Sequence, residues 1–241
     1  MSSTYELTGG QRDDQVGLFQ NAAQIAAGII RQAIFDGTIL QGAKLREGKL
    51  AAELGISRTP IREALLVLQT EGFLVASPNR GSMVREYSIE EIINLYDTRA
   101  VLEAFAASRA AQSITKEQIR ALDESCQRFA SLIESNDAIN SNDVIRLVHE
   151  NSTFHHTILE VASNGTLNHV VESLERLPLI YRSYYWYSNQ GRLIALHYHK
   201  QITRALEQGD TVRVDGLMKE HIFEARDTLI RQMRNVSTTS N

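Results

Sequence analysis

The stretch Gly55-Ile56-Ser57-Arg58-Thr59-Pro60-Ile61-Arg62-Glu63-Ala64-Leu65 constrains the fold of this 241-residue chain more than any other. Just before it, Leu50, Ala51 and Leu54 fit one face of a short helix over residues 47–54, and Gly55 ends that helix. Ser57 is placed to cap a second helix, and Pro60 falls in its first turn, where backbone N–H groups lack intrahelical partners. Ile61, Leu65 and Leu68 recur as the buried stripe of that helix until Gly72 stops it.

The flanking residues extend the pattern. Ile25, Ile29, Ile30, Ala33 and Ile34 predict a preceding helix that begins around Val16 and stops at Gly37, followed by a turn at Gln41-Gly42. Two short β-like runs, residues 73–75 and 82–84, bracket Ser77-Pro78-Asn79-Arg80-Gly81 and predict a hairpin. Helix, short helix, four-residue turn, helix and hairpin is the order of a winged helix-turn-helix, whose second paired helix enters the DNA major groove.

The chain as a whole has 25 basic and 29 acidic residues, a formal charge of −4 that by itself argues against nucleic acid. Residues 37–85, however, hold seven Lys/Arg against four acids, whereas the part from residue 88 onward holds 16 against 20. A basic segment joined to an acidic one suggests two domains with separate tasks, though an excess of three charges also fits chance clustering. Arg58 and Arg62 lie four apart, on the face opposite the apolar stripe, so both reach one groove. An arginine fork matches guanine O6 and N7, while Ser57, Thr59 and Lys49 suit phosphates. Arg80-Gly81 would place an arginine at a wing tip, against the minor groove. Each arginine alone could be a solvated surface charge; their joint placement favours DNA.

After Tyr87 the strand signals vanish. Ser88-x-x-Glu91 and Thr115-x-x-Gln118 read as capping boxes that open helices to about residues 111 and 133. Further helices are expected over about 141–162, 166–187 with a break at Pro178, 190–207, and 210–234. The expected fold class is mainly α: a winged helix-turn-helix followed by an all-α bundle of six to seven helices. The domains read as a flexible arm (1–15), a DNA-binding domain (16–87), a helical effector, metal and dimerisation domain (88–235) and a polar tail (236–241).

Three of the seven histidines, His155, His199 and His221, fall on apolar faces of three different helices, and Asn151 sits one turn before His155. Three imidazoles and an oxygen converging in a bundle core are a ligand set for a divalent ion, zinc first, with nickel, manganese or iron as alternatives. Three separately hydrogen-bonded core histidines are an equal reading of the spacing. Arg99 falls on the inner side of the first helix of this half, three residues after Tyr96, where it pairs either with a bound anion or with Glu103 four residues on. Tyr181, Arg182, Tyr184, Tyr185 and Trp186 line a pocket or are plain core. The lone Cys126 can form no intrachain disulfide and reads as buried.

These residues carry two resemblances. Ile34-x-x-Gly37, Leu50-Ala51-x-x-Leu54-Gly55, Ser57 through Leu65, Glu71-Gly72 and Arg80-Gly81-x-x-Val84 resemble the GntR family of bacterial transcriptional regulators across residues 20–86. That likeness implies DNA contacts from Arg58, Thr59, Arg62, Arg80 and Gly81. Gly48 stands where many members have a further DNA-contacting arginine, leaving that contact missing or taken over by Arg46 or Lys49. Tyr96-x-x-Arg99-x-x-x-Glu103, Asn151-x-x-x-His155, Ala162-x-Asn164, His199, Ala205-Leu206-x-x-Gly209-Asp210 and His221-Ile222 resemble the FCD type of ligand-binding domain of the FadR subfamily. This second likeness implies a metal held by Asn151, His155, His199 and His221, with a small carboxylate bound over it; Arg99, Tyr96 and Arg182 are the candidate effector contacts by their places in the helices. Asn151 in place of the usual aspartate removes one negative charge from the site.

The expected protein is a cytoplasmic, nucleoid-associated homodimer, acting as a repressor on a palindromic double-stranded operator. No apolar run is long enough for a membrane span, and residues 1–20 carry acids where a signal peptide would start basic. Two alternatives stand: a helical half that only dimerises, or a metal-dependent hydrolase. The hydrolase lacks His-Glu-x-x-His, Gly-x-Ser-x-Gly and phosphate-loop motifs.

Overall fold

The computed structural model describes residues 10–35, 38–77, 81–134, 141–175 and 188–239. The chain divides into two units, residues 1–86 and 87–241. In the first, helix α1 (Gly10–Phe35) precedes strand β1 (Lys44–Leu45), α2 (Glu47–Leu54), α3 (Arg58–Thr70) and strands β2 (Leu74–Ser77) and β3 (Gly81–Val84). The strands form one antiparallel sheet in the order β1-β3-β2, with Lys44 opposite Met83 and Val75 opposite Met83 on the other side.

Gly55 adopts φ +67° and donates its N–H to the Ala51 carbonyl, a left-handed stop that residues with a Cβ resist. The turn is thereby cut to three residues, one fewer than the sequence suggests. Ser57 holds the cap position of α3 in extended conformation, but its side chain makes no cap hydrogen bond, contrary to expectation. Ile61, Leu65 and Leu68 are buried as predicted. α1 packs on α3, and its end is fastened by Arg31, which donates two short hydrogen bonds to Glu71 at 2.7 and 2.8 Å, and by an edge-on Phe35–Phe73 contact.

Two expectations for α1 are corrected. The helix starts at Gly10 rather than near Val16, so the polar residues before Val16 and Gly17 itself are carried within it, and no proline breaks the segment. Its buried stripe is Ala23, Ala26, Ala27, Ile30 and Ile34, whereas Ile25 and Ile29 are exposed: three alanines share the inward face with only two of the four isoleucines. Strand β1 is also new; two residues carry no readable alternation.

The second unit contains α4 (Ile89–Ala110), α5 (Lys116–Glu134), α6 (Ser141–Val161), α7 (Gly165–Glu175), α8 (Asn189–Glu207) and α9 (Thr211–Thr239). Both capping boxes form: Ser88 and Glu91 bond reciprocally, as do Thr115 and Gln118. α4 presents Ala100, Ala104, Ala107 and Ala110, all fully buried, and these small side chains let α9 approach closely. Ser108 ties the two by donating to the Thr211 carbonyl, and Arg109 donates to the Ala162 carbonyl just past the end of α6. α5 packs on α6 and α8, and α8 on α9. Cys126 is buried as expected, and burial pushes its thiol up to about 11. α9 runs on to Thr239, so the tail expected from residue 236 is helical until there; no Gly or Pro stands beyond Gly216 to stop it. Pro178 and the aromatic run 181–187, Arg182 included, lie outside the described residues, as does Arg80.

Candidate functional site

In the first unit, Ser57, Arg58, Thr59 and Arg62 lie exposed along the outer face of α3, and Arg46 and Lys49 are exposed at the start of α2. Arg62 donates to both carboxylate oxygens of Glu47 at 3.0 and 2.9 Å, which lowers the Glu47 carboxyl below its usual range. That pair splints the guanidinium across the turn between the two helices. Arg58 lies over Gly48: a Cβ at position 48 would stand 3.5 Å from its guanidinium. Lys49 reaches Glu53 at 3.6 Å. A groove of about 770 Å3 opens beside this face, lined by Lys44, Arg46, Arg62, Gln69 and Gly81 among others. Gln69 donates to Ser82 at 2.8 Å and so fixes α3 to the wing strand.

In the second unit, the three histidines chosen for their apolar faces converge. One ring nitrogen from each of His155 (α6), His199 (α8) and His221 (α9) lies within 4.8 Å of the other two, and all three residues are buried. The Nε2 atoms of His155 and His221 are 3.2 Å apart and those of His199 and His221 are 3.3 Å apart. Tetrahedral zinc–nitrogen bonds of about 2.05 Å put ligand nitrogens about 3.3–3.4 Å apart, so the spacing suits one ion.

Proton bookkeeping gives the same answer. His155 Nδ1 lies 2.7 Å from Glu103 Oε2, which favours the proton on Nδ1 and leaves Nε2 bare. Burial pushes His199 and His221 well below the usual histidine range, and the neighbouring imidazoles push further. The three rings share two nitrogen contacts, both ending on His221 Nε2, which carries one proton at most. A cation would satisfy all three lone pairs together. Asn151 Oδ1 is buried on α6 with no hydrogen-bond partner, a vacant oxygen donor one turn from His155. Phe154 stacks on His199 at 4.0 Å and holds that ring in place.

Arg99 takes the second of the two readings open in the sequence. Its Nε donates to Glu103 Oε1 at 2.9 Å, with both side chains buried, so its charge is already balanced within the protein. Burial would raise the Glu103 carboxyl, but Arg99 and His155 together hold it well below the usual carboxylate range. The guanidinium also lies 5.3 Å from the Tyr96 ring centre, and Tyr96 is fully buried. One contact and one residue escaped the sequence reading. Glu103 links Arg99 to a histidine on another helix, a relation that only packing reveals. Arg192 is buried on α8, seven residues before His199, and that two-turn spacing could have flagged it.

An exposed arginine-bearing helix beside a wing, joined to an all-helical unit with a buried histidine cluster, defines a two-domain DNA-binding regulator. Residues 22–84 match the family "Bacterial regulatory proteins, gntR family", and residues 94–224 match the FCD domain. The chain is 30% identical to the Nta operon transcriptional regulator of Aminobacter aminovorans over 82% of its own length and 89% of that protein. It is 32% identical to the gluconate operon transcriptional repressor of Bacillus licheniformis, over 70% of this chain and 69% of that one. Its fold is also that of Escherichia coli McbR/YncC, with a TM-score of 0.66 at 21% identity, covering 88% of this chain and 98% of that structure. The chain belongs to the GntR family of transcriptional regulators and carries an FCD domain. Among the described residues no helix is long and apolar enough to cross a membrane.

Proposed function

We propose that this regulator is a cytoplasmic, homodimeric repressor whose affinity for a palindromic operator is set by a small carboxylate bound at a metal in the helical unit. The observation that carries the reading is the buried triad of imidazole nitrogens, in which His221 Nε2 lies 3.2 Å from that of His155 and 3.3 Å from that of His199, beside an unsatisfied amide oxygen. Neutral imidazole is the form that ligates metal. His155, His199, His221 and Asn151 would hold the ion, zinc by preference of the donor set, with nickel, manganese or iron as alternatives. When bound, it would supply a positive centre with room for a carboxylate oxygen. Glu103 orients His155 and keeps its proton on Nδ1, and Arg99 balances Glu103; both are positioning residues.

On the DNA side, Arg58 and Arg62 would read base edges, with Ser57, Thr59, Lys49 and Arg46 on phosphates and Arg80-Gly81 at the wing tip. The Glu47 pair pre-orients Arg62 and so lowers the ordering cost of its contact. Val101 and Phe105, one turn apart on α4, expose apolar surface that a second copy would cover. Effector and operator would be linked reciprocally, each changing the other's affinity by the same factor.

The test is to select operator duplexes from a random pool with the metal-loaded full chain and titrate them by fluorescence anisotropy with and without small carboxylates. A carboxylate-dependent change in operator affinity that disappears after chelation supports the reading. Operator binding indifferent to both acids and chelation would leave the helical unit as a dimerisation module only.

A further inference from the structure

Arg99 is neutralised by Glu103, yet the helical unit buries a second arginine. Arg192 is 8% exposed, and its Nε has no hydrogen-bond partner; among the described residues no carboxylate is paired with it. Burial pulls its guanidinium below the usual arginine range with nothing opposing the shift. The other buried arginine among the described residues, Arg99, ends on a carboxylate. Its Nε therefore lacks an acceptor and its charge lacks a carboxylate, and a bound anion is the ordinary remedy for both.

Its place on α8 indicates which anion. Arg192, Leu196 and His199 follow one another at spacings of four and three, on one inward face, and all three are buried. Seven residues at 1.5 Å each put Arg192 about 10 Å from His199 along the axis. Side chains on a helix lean the same way, toward its N-terminus, so that separation carries over to the functional groups. Arg192 also sits in the first turns of α8, where the positive end of the helix dipole favours negative charge. The face thus offers a cationic end and a metal-ligand end, set too far apart for a single carboxylate.

We infer that Arg192 binds a second acidic group of the effector, so that the ligand is a dianion, a dicarboxylate or a phosphorylated acid, spanning the stretch between Arg192 and the histidine cluster. This rests on the metal-carboxylate reading of the same site, and it names the ligand class that reading leaves open.

The test is isothermal titration of the metal-loaded full chain with matched pairs of acids: propionate and succinate, butyrate and glutarate, valerate and adipate. At least one diacid should bind about tenfold or more tighter than its monoacid partner. Arg192→Met should reduce that diacid to the monoacid level while leaving monoacid affinity and metal content unchanged, and Arg192→Lys should retain part of the preference. Equal binding of both members of every pair in the wild-type protein overturns this inference alone, as does a diacid preference that survives in Arg192→Met. If no acid of either kind binds, the metal-carboxylate reading falls and this inference with it. If the methionine variant does not fold, Arg192→Lys decides: a diacid preference undiminished there overturns the inference.

Discussion

Glu103→Gln isolates the link between the buried ion pair and the histidine cluster. The carboxylate is 2% exposed, receives the Arg99 Nε–H at 2.9 Å and stands 2.7 Å from His155 Nδ1. Removing its charge strands a buried guanidinium, and breaking one side of such a pair costs about 3–5 kcal/mol. Glutamine keeps the shape and one acceptor oxygen, so the loss should fall near the lower end, about 3 kcal/mol. The second effect is on the metal. His155 loses the charge that fixes its tautomer, a change that typically lowers metal affinity about 10–100-fold. Urea denaturation of metal-stripped protein reads the first effect, and competitive titration of zinc against a chromophoric chelator reads the second. The double variant Arg99→Met, Glu103→Leu should recover most of the stability, since no charge is then stranded, while metal affinity stays low. A Glu103→Gln loss below about 1 kcal/mol together with unchanged metal affinity would refute the proposed coupling.

Three further outcomes follow from the same geometry. Arg58→Ala and Arg62→Ala should each weaken a selected operator by about 1–3 kcal/mol in anisotropy titrations while leaving the circular-dichroism melt unchanged; retained specificity would count against both contacts. Metal-stripped protein should lose stability as pH falls below about 6.5, because His199 and His221 stay neutral when folded and take up protons once unfolded. Their stabilising contribution is complete above that pH and declines by at most about 3 kcal/mol per unit for the two together, so urea midpoints that do not change between pH 7 and 5.5 would contradict it. Gly55→Ala should cost about 1–2 kcal/mol through the left-handed backbone at the helix-turn-helix corner, measured by thermal melting.

The division of labour was legible in the residues because its signals are local. Gly55, Ser57 and Pro60 mark one corner within six residues, and each capping box spans four. The histidines were found by helical periodicity, since a polar ring on an apolar stripe stands out on any single helix. What periodicity cannot supply is the pairing between helices. It gave Arg99 two partners, an external anion or Glu103; Glu103 reaches Arg99 within α4, and only the packing of α4 against α6 brings it to His155 as well. The inward face of α1 was misread for a related reason: isoleucine outweighs alanine on any hydropathy scale, yet close helix packing selects the smaller residue. Strand β1 exists only through its register with β3. Arg192 went unnoticed because an arginine in a sequence looks solvated until burial shows otherwise.

Metal content is the most direct test of the account. Elemental analysis with native mass spectrometry of protein purified without chelators should find one divalent ion per chain, lost in His199→Ala and His221→Ala variants that keep the helical spectrum of the parent. A metal-free parent that cannot be loaded with zinc, nickel, manganese or iron, or an ion that persists in both variants, would contradict the account.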